Sequence, residues 1–292
     1  KKIIARENAY HGTGIASASL TGLARMHMAF DLPVTDRVLR TDCPHFFKYG
    51  EEGETEEVFA TRCANNLEKL IQDEGPDTVA AFFAEPVMGA GGVIVPAATY
   101  FEKIQKVLRE YNVLMVADEV ICGFGRTGNM WGSQTFNIKP DLLTCAKALS
   151  SSYLPISALL ISDDLYAPIR DQSGDLGGFS HGYTYSGHPV PAAVALETLK
   201  IYEERDIVGH VRRVGPIMQA GLREFADHPL VGEVRGVGLL AGVEVMANSD
   251  NRQCFDPAAK VGPKIQALCE ENGLLIRAMG DSIGFCPPLI IE

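Results

Sequence analysis

An α/β fold with a mostly parallel central sheet flanked by helices is predicted by two features of this 292-residue chain. Short apolar runs alternate with longer stretches whose apolar residues recur at helical spacing, and residues 79–118 read as one complete strand–helix–strand unit. A hydrophobic content of 46% is enough to bury a sizeable core, and the length suits one large domain or two unequal ones.

The elements follow in order. Residues 79–85 (Val-Ala-Ala-Phe-Phe-Ala-Glu) read as a buried strand, 97–111 as a helix and 113–117 as the next strand. Asp118 then stands at the carboxyl end of a strand, where open α/β sheets bind ligands. Further strands are expected at 142–145 and 155–161, and a helix from His188-Pro189 to about Arg205. Beyond it the composition shifts. Residues 207–226 form an amphipathic helix, 232–245 paired strands around Gly236 and Gly238, and 257–272 another helix, before short strands at 274–277 and 283–286. We therefore divide the chain into a large domain, residues 1–205, and a smaller C-terminal α+β domain, residues 206–292. The acidic stretch 50–57 is read as a solvated loop and helix start.

A formal charge of −11 without any dense Lys/Arg cluster argues against nucleic acid as a partner. No apolar run approaches a membrane span, and the first six residues are too short for a signal h-region. The seven cysteines are scattered without a CxxC pair, several inside apolar runs, which suits a reducing, cytoplasmic setting. No metal-ligating set stands out. The absence of an initiator Met and the ending at Leu289-Ile290-Ile291-Glu292 suggest a piece of a longer protein.

Lys147, in Thr144-Cys-Ala-Lys-Ala-Leu-Ser150, follows an apolar strand, where burial would lower its proton affinity and make it a nucleophile. The Asp118–Lys147 pair suits an amine nucleophile facing a buried carboxylate and, equally, a structural ion pair. Gly123-Phe-Gly125-Arg-Thr-Gly128 lacks nucleotide-binding glycine spacing and reads as a strained functional loop. The segment 179–189 (Phe-Ser-His-Gly-Tyr-Thr-Tyr-Ser-Gly-His-Pro) concentrates hydroxyls, glycines and imidazoles before a helix, a composition suited to holding phosphate. With Tyr10 as an aromatic plate, these are the parts needed to hold pyridoxal phosphate.

Six motifs carry a resemblance that spans nearly the whole chain: Asn8-Ala-Tyr-His-Gly12, Ala84-Glu-Pro-Val-Met-Gly-Ala-Gly-Gly92, residues 118–128, Ala146-Lys-Ala-Leu149, residues 181–189 and Gly280-Asp-Ser-Ile-Gly-Phe-Cys-Pro-Pro288. The chain resembles the class III aminotransferases, fold type I pyridoxal 5'-phosphate enzymes, and among them the omega-amine:pyruvate transaminases. The resemblance implies transfer of an amino group from a primary amine or omega-amino acid to a keto acid by ping-pong chemistry. Lys147 would form the Schiff-base link to the cofactor and shuttle the proton. Asp118 would pair with the pyridine nitrogen, Val120 and Tyr10 would flank the ring, and Glu85 and His11 would lie near it. Thr184 would bind the cofactor phosphate of a neighbouring subunit, which implies a homodimer or tetramer. Arg277 would pair with a substrate carboxylate through its bidentate fork.

Relatives that read 2-oxoglutarate, the ornithine and gamma-aminobutyrate aminotransferases, carry a glutamate five residues after the Glu-Pro glutamate. Here that position is Ala90, which favours pyruvate as acceptor. Ser152 stands where many relatives have glycine and would strain the loop if the position needs a positive φ; Pro191 replaces a common small residue. The family's N-terminal phosphate loop and its final helix have no counterpart in these residues. Two other readings share the motifs: an aminomutase of the glutamate-1-semialdehyde type, and a non-catalytic homologue.

Overall fold

The structure is a computed structural model and describes residues 1–292 apart from Val34 and Asp250. The first strand, β1 (Lys2–Arg6), is followed by a short helix α1 (Ile15–Leu20), strand β2 (Val38–Thr41) and helices α2 (Phe46–Tyr49) and α3 (Glu56–Glu74). The acidic stretch does start a helix. Thr55 caps α3 by accepting from the Val58 N–H at 3.3 Å, and Glu56 and Glu57 lie in the first turn, where negative charge favours the helix dipole. Gly75, at φ 83°, ends it. The buried residues of α3 (Phe59, Ala60, Cys63, Ala64, Leu67, Ile71) form one stripe at helical spacing.

Strand β3 (Val79–Ala84), helix α4 (Tyr100–Glu110) and strand β4 (Leu114–Asp118) realise the predicted unit. They are followed by α5 (Gly132–Thr135), β5 (Leu142–Cys145), β6 (Ala158–Ile161), α6 (Asp163–Asp175) and α7 (Pro189–Glu204). Strands β1 to β6 form one sheet in the order β2-β1-β3-β4-β5-β6, parallel throughout except for the antiparallel β5–β6 pair. Helices α3 and α4 cover one side of it, packing Leu67, Ile71, Phe101 and Ile104 against Ile4, Phe82 and Met115. A smaller cluster joins Phe124, Leu143, Cys145 and Leu149 to Ala195 of α7.

After α8 (Ile207–Arg223), the strands β7 (Val231–Val237) and β8 (Leu240–Val245), helix α9 (Val261–Glu271), and strands β9 (Arg277–Met279) and β10 (Ser282–Phe285) complete the chain. The second sheet is antiparallel in the order β7-β8-β10-β9. Two expectations shift here. The helix predicted over 257–272 is broken at Lys260, whose φ of 50° separates a turn at 257–259 from α9. The strand expected at 274–277 begins only at Arg277, because Leu274 and Leu275 are exposed and enter no ladder. Strand β6 starts three residues later than expected.

No helix among the described residues is long and apolar enough to cross a membrane. Cys43, Cys63, Cys122 and Cys145 are buried as small core residues.

Candidate active site

The carboxyl ends of four adjacent parallel strands converge. Beyond β1 lies Tyr10-His11, beyond β3 Glu85, at the end of β4 Asp118, and beyond β5 Lys147. Register fixes the neighbours: Ala84 pairs with Ala117, and Asp118 with Thr144, so Glu85 and Lys147 flank Asp118 on either side.

Asp118 is held from three directions. Its Oδ2 accepts from His11 Nδ1 at 2.8 Å. Its Oδ1 accepts from the Val120 N–H at 3.1 Å and receives a long contact of 3.5 Å from the Thr144 hydroxyl. The His11 side chain is only 3% exposed and meets Phe83 edge-on, while the Asp118 side chain is 10% exposed. His11 therefore stands behind the carboxylate, and its Nε2 has no hydrogen-bond partner among the described residues.

Glu85 accepts from two backbone N–H groups, Tyr10 at 3.0 Å and Gly89 at 2.9 Å, tying the end of β1 to the loop after β3. Burial pushes its carboxyl above the ordinary range; the charge of His11 opposes this and that of Asp118 adds to it. Glu119, fully buried, accepts from the N–H groups of Gly132 and Ser133 and from the Ser133 hydroxyl, and so anchors α5. Burial raises its carboxyl as well.

Lys147 departs from the sequence expectation. It is exposed rather than desolvated, because it opens a 3-10 turn at φ 48° just beyond the sheet edge. No ion pair joins it to Asp118, whose partner is His11. The strain expected at Ser152 is present: Ser151 and Ser152 adopt φ 47° and 64°. The loop after Asp118 is strained too, with Phe124 at φ 61°, and Arg126 within it donates to the carbonyls of Leu239 and Pro287 in the second unit.

Tyr10 and Val120 are half-buried beside this group. Thr184 is exposed in a turn, and no hydrogen bond connects it to Asp118, His11 or Lys147. The same segment does cap α7, His188 Nδ1 accepting from the Val190 N–H at 3.2 Å. Arg277 is exposed on β9, the edge strand of the second sheet, opposite Gly284. A Cβ built on Gly284 would lie 3.7 Å from Val93, so β10, the strand paired with β9, approaches the 89–93 loop. Sequence reasoning missed Thr144 and Glu119; only the strand register and the short segment 132–135 reveal them.

The donor set fits pyridoxal phosphate. A carboxylate can take about four hydrogen bonds, and Asp118 spends its contacts on its inner side while a tenth of its side chain stays open. Beside it are an amine that no described residue pairs with and a half-buried aromatic ring. Among the described residues no group of His, Cys, Asp and Glu could hold a metal ion.

A sequence profile of the family described as Aminotransferase class-III matches residues 1–292. The chain belongs to the class-III aminotransferases. This family uses pyridoxal 5'-phosphate. The chain is 57% identical over 292 residues to gamma aminobutyrate transaminase 3, chloroplastic, of Solanum lycopersicum, and 54% identical to gamma-aminobutyrate transaminase 1, mitochondrial, of Oryza sativa subsp. japonica. Both matches cover all of this chain and 56% of the relative, so the chain spans little more than half the length of these aminotransferases. Among solved structures it is similar to one described as "Transaminase with L-ala", with TM-score 0.98, 60% identity, and coverage of 100% of this chain and 69% of that one. It is similar to the omega transaminase from Pseudomonas jessenii in complex with PMP as well, with TM-score 0.98, 53% identity and coverage of 100% and 64%.

Proposed function

We propose that the protein transfers an amino group from a primary amine or omega-amino acid to pyruvate, using pyridoxal phosphate held at Asp118 and Lys147. The observation that carries this reading is the His11–Asp118 pair at the end of β4 beside Lys147 at the end of β5, whose amine is left free of Asp118. Bound pyridoxal phosphate supplies an electron-poor ring that takes up the charge developing on the substrate carbon.

The chain's own residues do the rest. Asp118, kept in place by His11 and the Val120 N–H, would hold the pyridine nitrogen and favour its protonated form. Lys147, exposed just beyond β5 and unpaired among the described residues, would hold the cofactor through its amine and would serve as the general base and acid for the proton at the substrate carbon. Tyr10, fixed through its N–H to Glu85, and Val120, both half-buried beside Asp118, would hold the ring between them. Thr184 would serve the phosphate of a neighbouring subunit in a homodimer or tetramer, a role supported by its exposure here.

Arg277 pairs with the substrate carboxylate and turns away for an uncharged amine. Ala90 supports pyruvate as acceptor, since no carboxylate at that position competes for Arg277. The 60%-identical structure was solved with L-alanine, the amino acid that pyruvate becomes on amination, which supports the same acceptor. The names of the plant relatives support gamma-aminobutyrate as a donor. The unpaired cysteines support a reducing compartment, which we take as the cytoplasm, although the names of those relatives place them in chloroplast and mitochondrion.

The test is a donor and acceptor panel on the complete protein loaded with pyridoxal phosphate. Amine-dependent loss of the cofactor's visible band, restored by pyruvate and not by 2-oxoglutarate, is expected. A band that no amine discharges would overturn the reading.

A further inference from the structure

Arg235, in β7, is buried and uses every face of its guanidinium. Nη1 donates to Glu233 at 2.7 Å, and Nη2 to Glu244 at 2.8 Å and to Ser282 at 3.2 Å, all within the second sheet. The same fork leaves that sheet: Nε donates to the Val93 carbonyl at 3.0 Å and Nη2 to the Gly92 carbonyl at 2.5 Å. Its side chain is 6% exposed, so these are desolvated, charge-assisted contacts.

The surfaces on either side are cut close. A Cβ on Gly92 (φ 126°) would lie 3.0 Å from Ser282 Oγ, and one on Gly242 would lie 3.0 Å from the Gly92 carbonyl. The loop is wedged at its other end too, because a Cβ on Gly91 would meet the Asn8 carbonyl at 2.3 Å and one on Gly89 the Ile121 side chain at 2.3 Å. Ala90 is thus held between the site strands and the second sheet. Ser282, which Arg235 grips, opens β10, the strand paired with β9 and Arg277.

We propose that Arg235 is a positioning residue for carboxylate-bearing substrates: it pins the 89–93 loop to the β10–β9 edge and so sets where Arg277 stands relative to the cofactor site. A lysine here would keep a charge for Glu233 or Glu244 but could not span both carbonyls at once. The proposal rests on the reading of Arg277 as the carboxylate partner, and the experiment separates the two.

The complete holoenzyme is assayed in single half-reactions with L-alanine and with an uncharged primary amine, following the visible band. R235K is expected to raise the half-saturating L-alanine concentration about tenfold and to leave the uncharged amine within about twofold, as a small misplacement of one binding group does. G92A keeps the Arg235 side chain and presses on the same contact from the loop side, its new Cβ lying 3.0 Å from Ser282 Oγ and 3.4 Å from Arg235 Nη2, so it is expected to show the same selectivity if R235K folds poorly. R277A is the control. Selectivity in R277A with none in R235K and G92A, or equal losses for both substrates, overturns the Arg235 proposal alone. No selectivity in R277A overturns the Arg277 reading itself.

Discussion

His11 Nδ1 donates to Asp118 Oδ2 across 2.8 Å, between two side chains 107 positions apart and almost closed to solvent. A hydrogen bond to a charged acceptor in such a place contributes roughly 1.5–3 kcal/mol. His11→Leu, which keeps bulk and removes the donor, should weaken pyridoxal phosphate binding on the order of tenfold or more. His11→Asn, which can place an amide N–H near the Nδ1 position, should recover most of the loss. Equilibrium titration of cofactor into the apo-protein checks this, and equal affinity in wild type and His11→Leu would refute it.

Asp118→Asn keeps the shape of the side chain and removes its charge. Cofactor should still bind, but turnover should fall by at least about a hundredfold, because the amide cannot hold a proton on the ring nitrogen. The measurement is kcat beside the cofactor dissociation constant. A parallel loss of both would assign Asp118 to binding alone.

Glu85 makes stability depend on pH in a definite direction. Burial holds its carboxyl above the ordinary value of 4.5 in the folded protein. Below that value both folded and unfolded chains are protonated and Glu85 carries no penalty. As pH rises above it, the unfolded chain ionises first, so stability falls until the folded pKa is passed. Glu85→Gln should remove this component, giving a flatter dependence of the urea midpoint as pH rises above 4.5. An unchanged slope would show that Glu85 is not held protonated by burial.

Two glycines should respond oppositely to alanine. In Gly91→Ala the new Cβ would lie 2.3 Å from the Asn8 carbonyl, a backbone atom with little freedom to yield, and the loss should be about 1–3 kcal/mol. In Gly221→Ala, within α8 and with nothing inside 4 Å, helix propensity should add about 0.5–1 kcal/mol. Urea midpoints at constant slope read both.

Legibility in the sequence followed the range of the forces involved. The unit from Val79 to Asp118 was readable because burial imposes a local period on β3, α4 and β4. Asp118 and Lys147 were readable as strand-end residues for the same reason. That Asp118 is partnered by His11 rather than Lys147 was not, since register and the path of the chain after β1 decide it. Nor was the exposure of Lys147, which depends on a left-handed turn that no glycine announces. Arg235 carried no signal at all: its carbonyl partners lie 143 and 142 positions away, and backbone acceptors leave no mark on residue type.

Whether Lys147 carries the cofactor is decided by borohydride reduction of the complete protein with pyridoxal phosphate, followed by peptide mapping. A single stable pyridoxyl adduct on Lys147, absent from Lys147→Ala, is expected. No adduct, or one on another lysine with Lys147 unmodified, would contradict the assignment of Lys147 as the cofactor-linking amine.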